Sequence, residues 1–101
     1  MKLYEIAHGR TGDKGTTSNI SVIAYHAADW PVIERQVTAE RVAEIFGPHV
    51  RVTRYVMAHL QALNFVIEGA LEGGVTRSLA IDAHGKALGF AVLDMDLSPE
   101  A

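Results

Sequence analysis

The sequence predicts an α+β fold, a two-layer sandwich in which a mostly antiparallel sheet packs against helices. Three observations carry this prediction. Short β-like runs near both ends of the chain bracket stretches of helical periodicity. Glycine and proline punctuate them, most clearly at Gly47-Pro48, Gly73-Gly74 and Gly85. No linker, repeat or low-complexity tract divides the 101 residues, so the elements share one core and residues 1–101 form a single domain.

Taken in order, Leu3–Ala7 reads as a short strand. Residues 9–19, GRTGDKGTTSN, hold three glycines among hydroxyl, amide and charged side chains and read as a polar loop. Ile20–Tyr25 alternates, with Ile20, Val22 and Ala24 on one face and Ser21, Ile23 and Tyr25 on the other. Asp29 is placed to cap a helix whose first turn contains Pro31. Thr38 caps a second helix or restarts the first, and Val37 and Val42 have the spacing of a hydrophobic staple. Gly47-Pro48 ends that helix. Val50–Val56 alternates as a strand, although Arg54 falls on its apolar side. From His59 to Glu72, Leu60, Leu63, Ile67 and Leu71 sit at helical spacing, and Gly73-Gly74 stops the pattern. Residues 77–82 and 87–97 then read as a hairpin about the turn Ala83-His84-Gly85-Lys86. Helices interspersed among antiparallel strands point to a ferredoxin-like arrangement.

Composition removes several classes of function. Nine basic residues stand against twelve acidic ones, a formal net charge of −3, which lacks the basic footprint of a nucleic-acid binder. With 49% hydrophobic residues, disorder is not expected. No apolar run approaches the ~18 residues of a membrane span, and MKLYEIAHGR lacks a signal peptide's apolar core, so a cytoplasmic protein without membrane contact is expected. The absence of cysteine excludes disulfides, cysteine-ligated metals and cysteine nucleophiles.

Chemistry concentrates in the glycine-rich stretch. Successive backbone N–H groups in such a turn form anion-binding nests, and Arg10 and Lys14 add charged donors. A phosphate, a CoA pyrophosphate or a carboxylate suits it. The Lys14-Gly15 order is the reverse of a phosphate-binding P-loop, and the even spacing of Gly9, Gly12 and Gly15 is not a dinucleotide fingerprint. An interface and a plain surface turn remain open as readings. His8 abuts the stretch, and an imidazole beside an anion site is a candidate general base. The five histidines show no metal-ligand spacing, so no metal site is expected. Asp94 and Asp96 read as the solvated face of a strand more simply than as an ion site. Asn64, among apolar residues, needs a hydrogen-bond partner and is expected to hold a neighbouring loop. Trp30 reads as a core or interface anchor.

Three stretches taken together, AHGRTGDKGTTSNISVIAY, VTAERVAEIFG and ALNFVIEGALEGGVTRSLAIDAHGKALG, resemble one module. It is the small C-terminal ferredoxin-fold-type domain of the acyclic terpene utilisation (AtuA-like) family, and the resemblance runs in order over nearly the whole chain. His8, Arg10, Gly12, Asp13, Lys14, Gly15 and Asn19 match its most distinctive motif, and Asn64 with Gly73-Gly74 the second. Gly9 and Thr16 depart from it, standing where Ala and Asp are more usual. In longer members the module follows a much larger domain, which implies a small subunit with a large AtuA-like partner. The family's association with branched acyl-CoA catabolism implies a CoA ester as substrate and no separate cofactor.

The resemblance brings no established catalytic residue with it. The candidate catalytic set is His8, Asp13 and Lys14. The candidate binding set is Arg10, Gly12, Lys14, Gly15, Thr16, Asn19 and Asn64. Besides the subunit reading, the chain could act as a homo-oligomeric hydratase or hydrolase of acyl-CoA esters, or as a structural oligomerisation module.

Overall fold

Alternating side chains turn the glycine-rich stretch into a hairpin. The computed structural model describes residues 1–14, 17–69 and 86–98. Within them β1 (Ala7–Lys14) and β2 (Thr17–Ala24) pair antiparallel without a break, Gly9 opposite Val22 and Gly12 opposite Asn19. The loop expected over residues 9–19 is therefore two strand segments. Glycine can mark close approach in a strand as readily as a turn, and pairing with the β-branched residues of β2 decides between them. The strand expected at Leu3–Ala7 is corrected too. Leu3–Glu5 is a single 3₁₀ turn closed by the Ile6 N–H on the Leu3 carbonyl at 3.0 Å, and only Ala7 enters β1.

Two helices follow. In α1 (Trp30–Gln36), Pro31 occupies the first turn, and Asp29 precedes the helix without a side-chain capping bond. In α2 (Ala39–Phe46), the Thr38 hydroxyl accepts the Arg41 N–H at 3.2 Å, as expected of a cap. Val37 and Val42 are both fully buried, and Gly47 ends the helix at φ 101°, a conformation that favours glycine.

The second hairpin joins β3 (Arg51–Met57) to β4 (Ala62–Glu68) through a 3₁₀ turn at Ala58–Leu60 and Gln61, which is left-handed at φ 54°, ψ 47°. The helix expected over 59–72 is overturned over 59–69; residues 70–72 lie outside the described residues. Leu60, Leu63 and Ile67 suit a helix. Leu63, Phe65 and Ile67 equally suit a strand, and these three are the fully buried ones. The expected terminal hairpin is overturned at its second arm, where Lys86–Leu93 forms helix α3. Extended structure returns only at an isolated bridge between Lys2 and Asp96.

The sheet order is β1-β2-β4-β3 with every neighbouring pair antiparallel, so the two hairpins sit side by side in an α+β fold. One face carries Ile20, Val22, Leu63, Phe65 and Ile67 into a core completed by Ile33, Val42, Phe46 and Val92 of the helices. Arg54 lies on this same face. Its Nη1 donates to the carbonyls of Glu34 at 2.8 Å and Val37 at 2.7 Å, capping the end of α1 and accounting for a charged residue in an apolar register. The Ser18 hydroxyl, 2% exposed, is buried without a hydrogen-bond partner among the described residues.

Two close approaches seat α3. A side chain at Gly89 would bring Cβ to 2.6 Å from Thr11 Cγ2, and one at Gly9 would meet Leu93 at 3.4 Å. The segment after α3 then clasps the start of the chain. The Leu3 N–H reaches Met95 at 2.9 Å and the Leu97 N–H reaches Met1 at 2.7 Å. Asp94 and Asp96 are exposed, as expected. They do not share a strand face; they converge on the Lys2 ammonium at 3.7 and 3.2 Å.

Candidate functional site

Register assembles the site. The residues of β1 that alternate with those facing the helices are His8, Arg10 and Gly12. Opposite them, the same face of β2 presents Ile23, Ser21 and Asn19. β4 continues each row with Ala62, Asn64 and Val66, and β3 with Met57, Tyr55 and Thr53. One cross-strand row therefore reads Arg10, Ser21, Asn64, Tyr55. The next reads Gly12, Asn19, Val66, Thr53. This face points away from the helices, and Arg10, Gly12, Asn19 and Tyr55 on it are exposed.

Asn64 organises the centre. Its Nδ2 donates to Asn19 Oδ1 at 2.6 Å and to Ser21 Oγ at 2.8 Å, tying β4 to β2 through side chains. The residue is half-buried on a strand, not enclosed in a helix, and its partners are two strand side chains in place of the expected loop. Both Nδ2 hydrogens are thereby used. The Asn19 amide N–H₂ and the Ser21 hydroxyl hydrogen remain to meet an incoming acceptor. The Arg10 side chain makes no hydrogen bond or ion pair among the described residues, so its guanidinium adds a charged donor to the same row.

His8 stands one row away and stacks on Tyr25, ring centroids 5.0 Å apart and planes 26° from parallel. The other described histidines, His26, His49 and His59, are exposed. Gly12 differs from the two glycines that seat α3: nothing lies within 4 Å of where its Cβ would be. The fold does not need glycine there on steric grounds. The missing side chain leaves this part of the face open between Arg10 and Asn19, the cross-strand partner of Gly12.

Of the candidate residues, His8, Arg10, Gly12, Asn19 and Asn64 are brought onto one surface. Asp13 and Lys14 close β1 opposite Ser18 and Thr17. Gly15 and Thr16 lie outside the described residues, as do Gly73, Gly74 and His84. Ser21, Tyr25 and Tyr55 join the surface without having been singled out. The alternation Ser21, Ile23, Tyr25 already set the first two on one face; Tyr55 needed the β3–β4 register. The arrangement is a shallow array of donors around a cation, able to hold a carboxylate, phosphate or thioester oxygen.

A groove of about 410 Å³ runs along the outer side of β1, lined by Gly9, Arg10, Thr11, Gly89, Phe90 and Leu93. Phe90 is 68% exposed there. No described helix is long and apolar enough to cross a membrane.

A family model described as the AtuA ferredoxin-like domain matches residues 1–98. No curated protein and no solved structure matches the chain.

Proposed function

Because the chain belongs to the AtuA ferredoxin-like domain family, we propose that it is a small subunit that docks on a large AtuA-like partner in branched or terpenoid acyl-CoA catabolism. Its open sheet face would supply an anion-holding wall to the shared substrate site. The observation that carries this reading is that Arg10, Ser21 and Asn19, with unspent donors, share one open sheet face beside Gly12. Such a face is too shallow to enclose a ligand by itself, since pockets for small molecules bury most of the ligand surface. A partner surface laid over it would supply the missing wall. In that setting Arg10 pairs with a phosphate or carboxylate of the CoA ester, and the Asn19 amide and Ser21 hydroxyl orient its oxygens. His8, braced by Tyr25, is the group positioned to move a proton at the edge of the site.

The test uses the tagged full chain purified from its native host. A large AtuA-like polypeptide is expected to co-purify, and CoA esters are expected to raise the melting temperature of the complex in proportion to ligand concentration. Arg10→Ala should reduce the thermal shift that CoA esters give the complex. A chain that associates with no large polypeptide would sink the reading.

A further inference from the structure

Among the described residues nothing pairs with the outer edge of β1, and its hydrogen-bonding phase follows from one contact. The Tyr25 N–H donates to the Ile6 carbonyl at 3.0 Å, so this pair and those two residues further along, including His8 with Ile23 and Arg10 with Ser21, are the hydrogen-bonded ones. The N–H and C=O groups of Gly9 and Thr11 therefore point away from β2. β1 is an edge strand, and these groups have no partner among the described residues. The groove between β1 and α3 lies along this same stretch, with Phe90 and Leu93 as its apolar wall and the unpaired Arg10 at its rim. An unpaired ladder beside an apolar groove is the geometry of strand addition.

We propose that this edge receives an extended segment of a partner polypeptide, which adds to the sheet as a fifth strand at Gly9–Thr11. Side chains of the added strand alternate between the two faces. Those on the helix side meet Phe90 and Leu93, and are apolar. Those on the open side lie beside Arg10, and are acidic. A second copy of β1 fits less well, because its Arg10 and Lys14 would meet the same basic residues across the pairing. The inference rests on the proposed docking only in taking the occupant to be a polypeptide; it names the surface that the docking would use.

The experiment titrates the isotopically labelled full chain with an end-blocked hexapeptide of alternating valine and glutamate, followed by amide NMR. Expected are shifts centred on Gly9–Thr11, Phe90 and Leu93, with slowed hydrogen exchange at the Gly9 and Thr11 amides. The same peptide N-methylated at alternate residues should bind at least tenfold more weakly, as should a valine–lysine peptide. Thr11→Pro removes an outward donor, which an edge strand tolerates, and should abolish peptide binding while the rest of the amide spectrum stays that of the folded chain. The idea is overturned by no binding at millimolar peptide, by shifts confined to the open face, or by binding indifferent to N-methylation. Peptide binding at this edge with no CoA-ester effect on the complex would instead count against the substrate site alone.

Discussion

Arg54 Nη1 lies 2.7 Å from the Val37 carbonyl oxygen, so a strand arginine closes the helix that packs above it. Hydrogen bonds from a charged donor contribute about 1.5–3 kcal/mol each, and the Glu34 carbonyl takes a second from the same nitrogen. Arg54→Met keeps the apolar stem and strands both carbonyls. A loss of about 2–4 kcal/mol by urea denaturation is expected; a loss below about 1 kcal/mol would show that the α1 end is satisfied otherwise.

Gly89 and Thr11 form a coupled pair. Alanine at 89 gains about 1 kcal/mol of helix propensity but overpacks against the Thr11 methyl, at a cost of about 1–3 kcal/mol. Gly89→Ala should therefore destabilise the wild type and stabilise a Thr11→Ser background, where that methyl is absent. A double-mutant cycle reads the coupling directly, and additive effects would show that α3 seats elsewhere.

Gly12 should respond in the opposite sense. With open space around it, Gly12→Ala is expected to raise stability by about 0.5–1 kcal/mol, read as a shift of the urea midpoint. A variant that loses stability contradicts the open space.

Lys2 sets an alkaline limit on the clasp between the chain's two ends. Its ammonium is held above the ordinary value of 10.5, chiefly by the hydrogen bond to Asp96, which outweighs the opposing pull of desolvation, and further by the charges of Asp94 and Asp96. A raised value in the folded state means that the contribution is complete below 10.5 and fades as pH climbs through the folded value. Amide exchange at Asp96 and Leu97 should accelerate in that alkaline range for the wild type. Lys2→Met should show the fast exchange already at neutral pH, and no further rise attributable to this group.

Gln61 sits at φ 54° without glycine's freedom. Gln61→Gly is expected to stabilise the β3–β4 connection by about 1 kcal/mol, read as a rise in melting temperature. A fall would mean that the glutamine side chain holds the turn.

Local chemistry was legible in the sequence, and long-range pairing was not. Thr38, Gly47 and the Ile20, Val22, Ala24 face act through neighbours a few residues away, and the structure follows them. Between 59 and 68 two periods coexist: Leu60, Leu63 and Ile67 at helical spacing, and Leu63, Phe65 and Ile67 at strand spacing. The free edge of β2 decides between them, and it lies some forty residues away in sequence. Arg54 looked like an error in a strand because its partners are carbonyls of α1, invisible to any pattern of side chains. The site shows the same division. His8, Arg10, Gly12, Asn19 and Asn64 stood out by residue type, yet only the β2–β4 register turns Asn64 toward Asn19.

The pairing of β2 with β4 also bears on how the molecule folds. Each of the two described hairpins draws on short-range contacts and can form early from its own segment. The sheet is complete only when these halves meet along one central seam, Ser18 against Ile67 to Ile23 against Ala62. Closing that loop costs entropy before the seam's buried side chains compensate for it. The seam also carries the Asn64 bridge, so the step that limits the speed of folding is the one that creates the donor surface. A nascent chain would hold two finished hairpins and no joined donor surface until the halves engage.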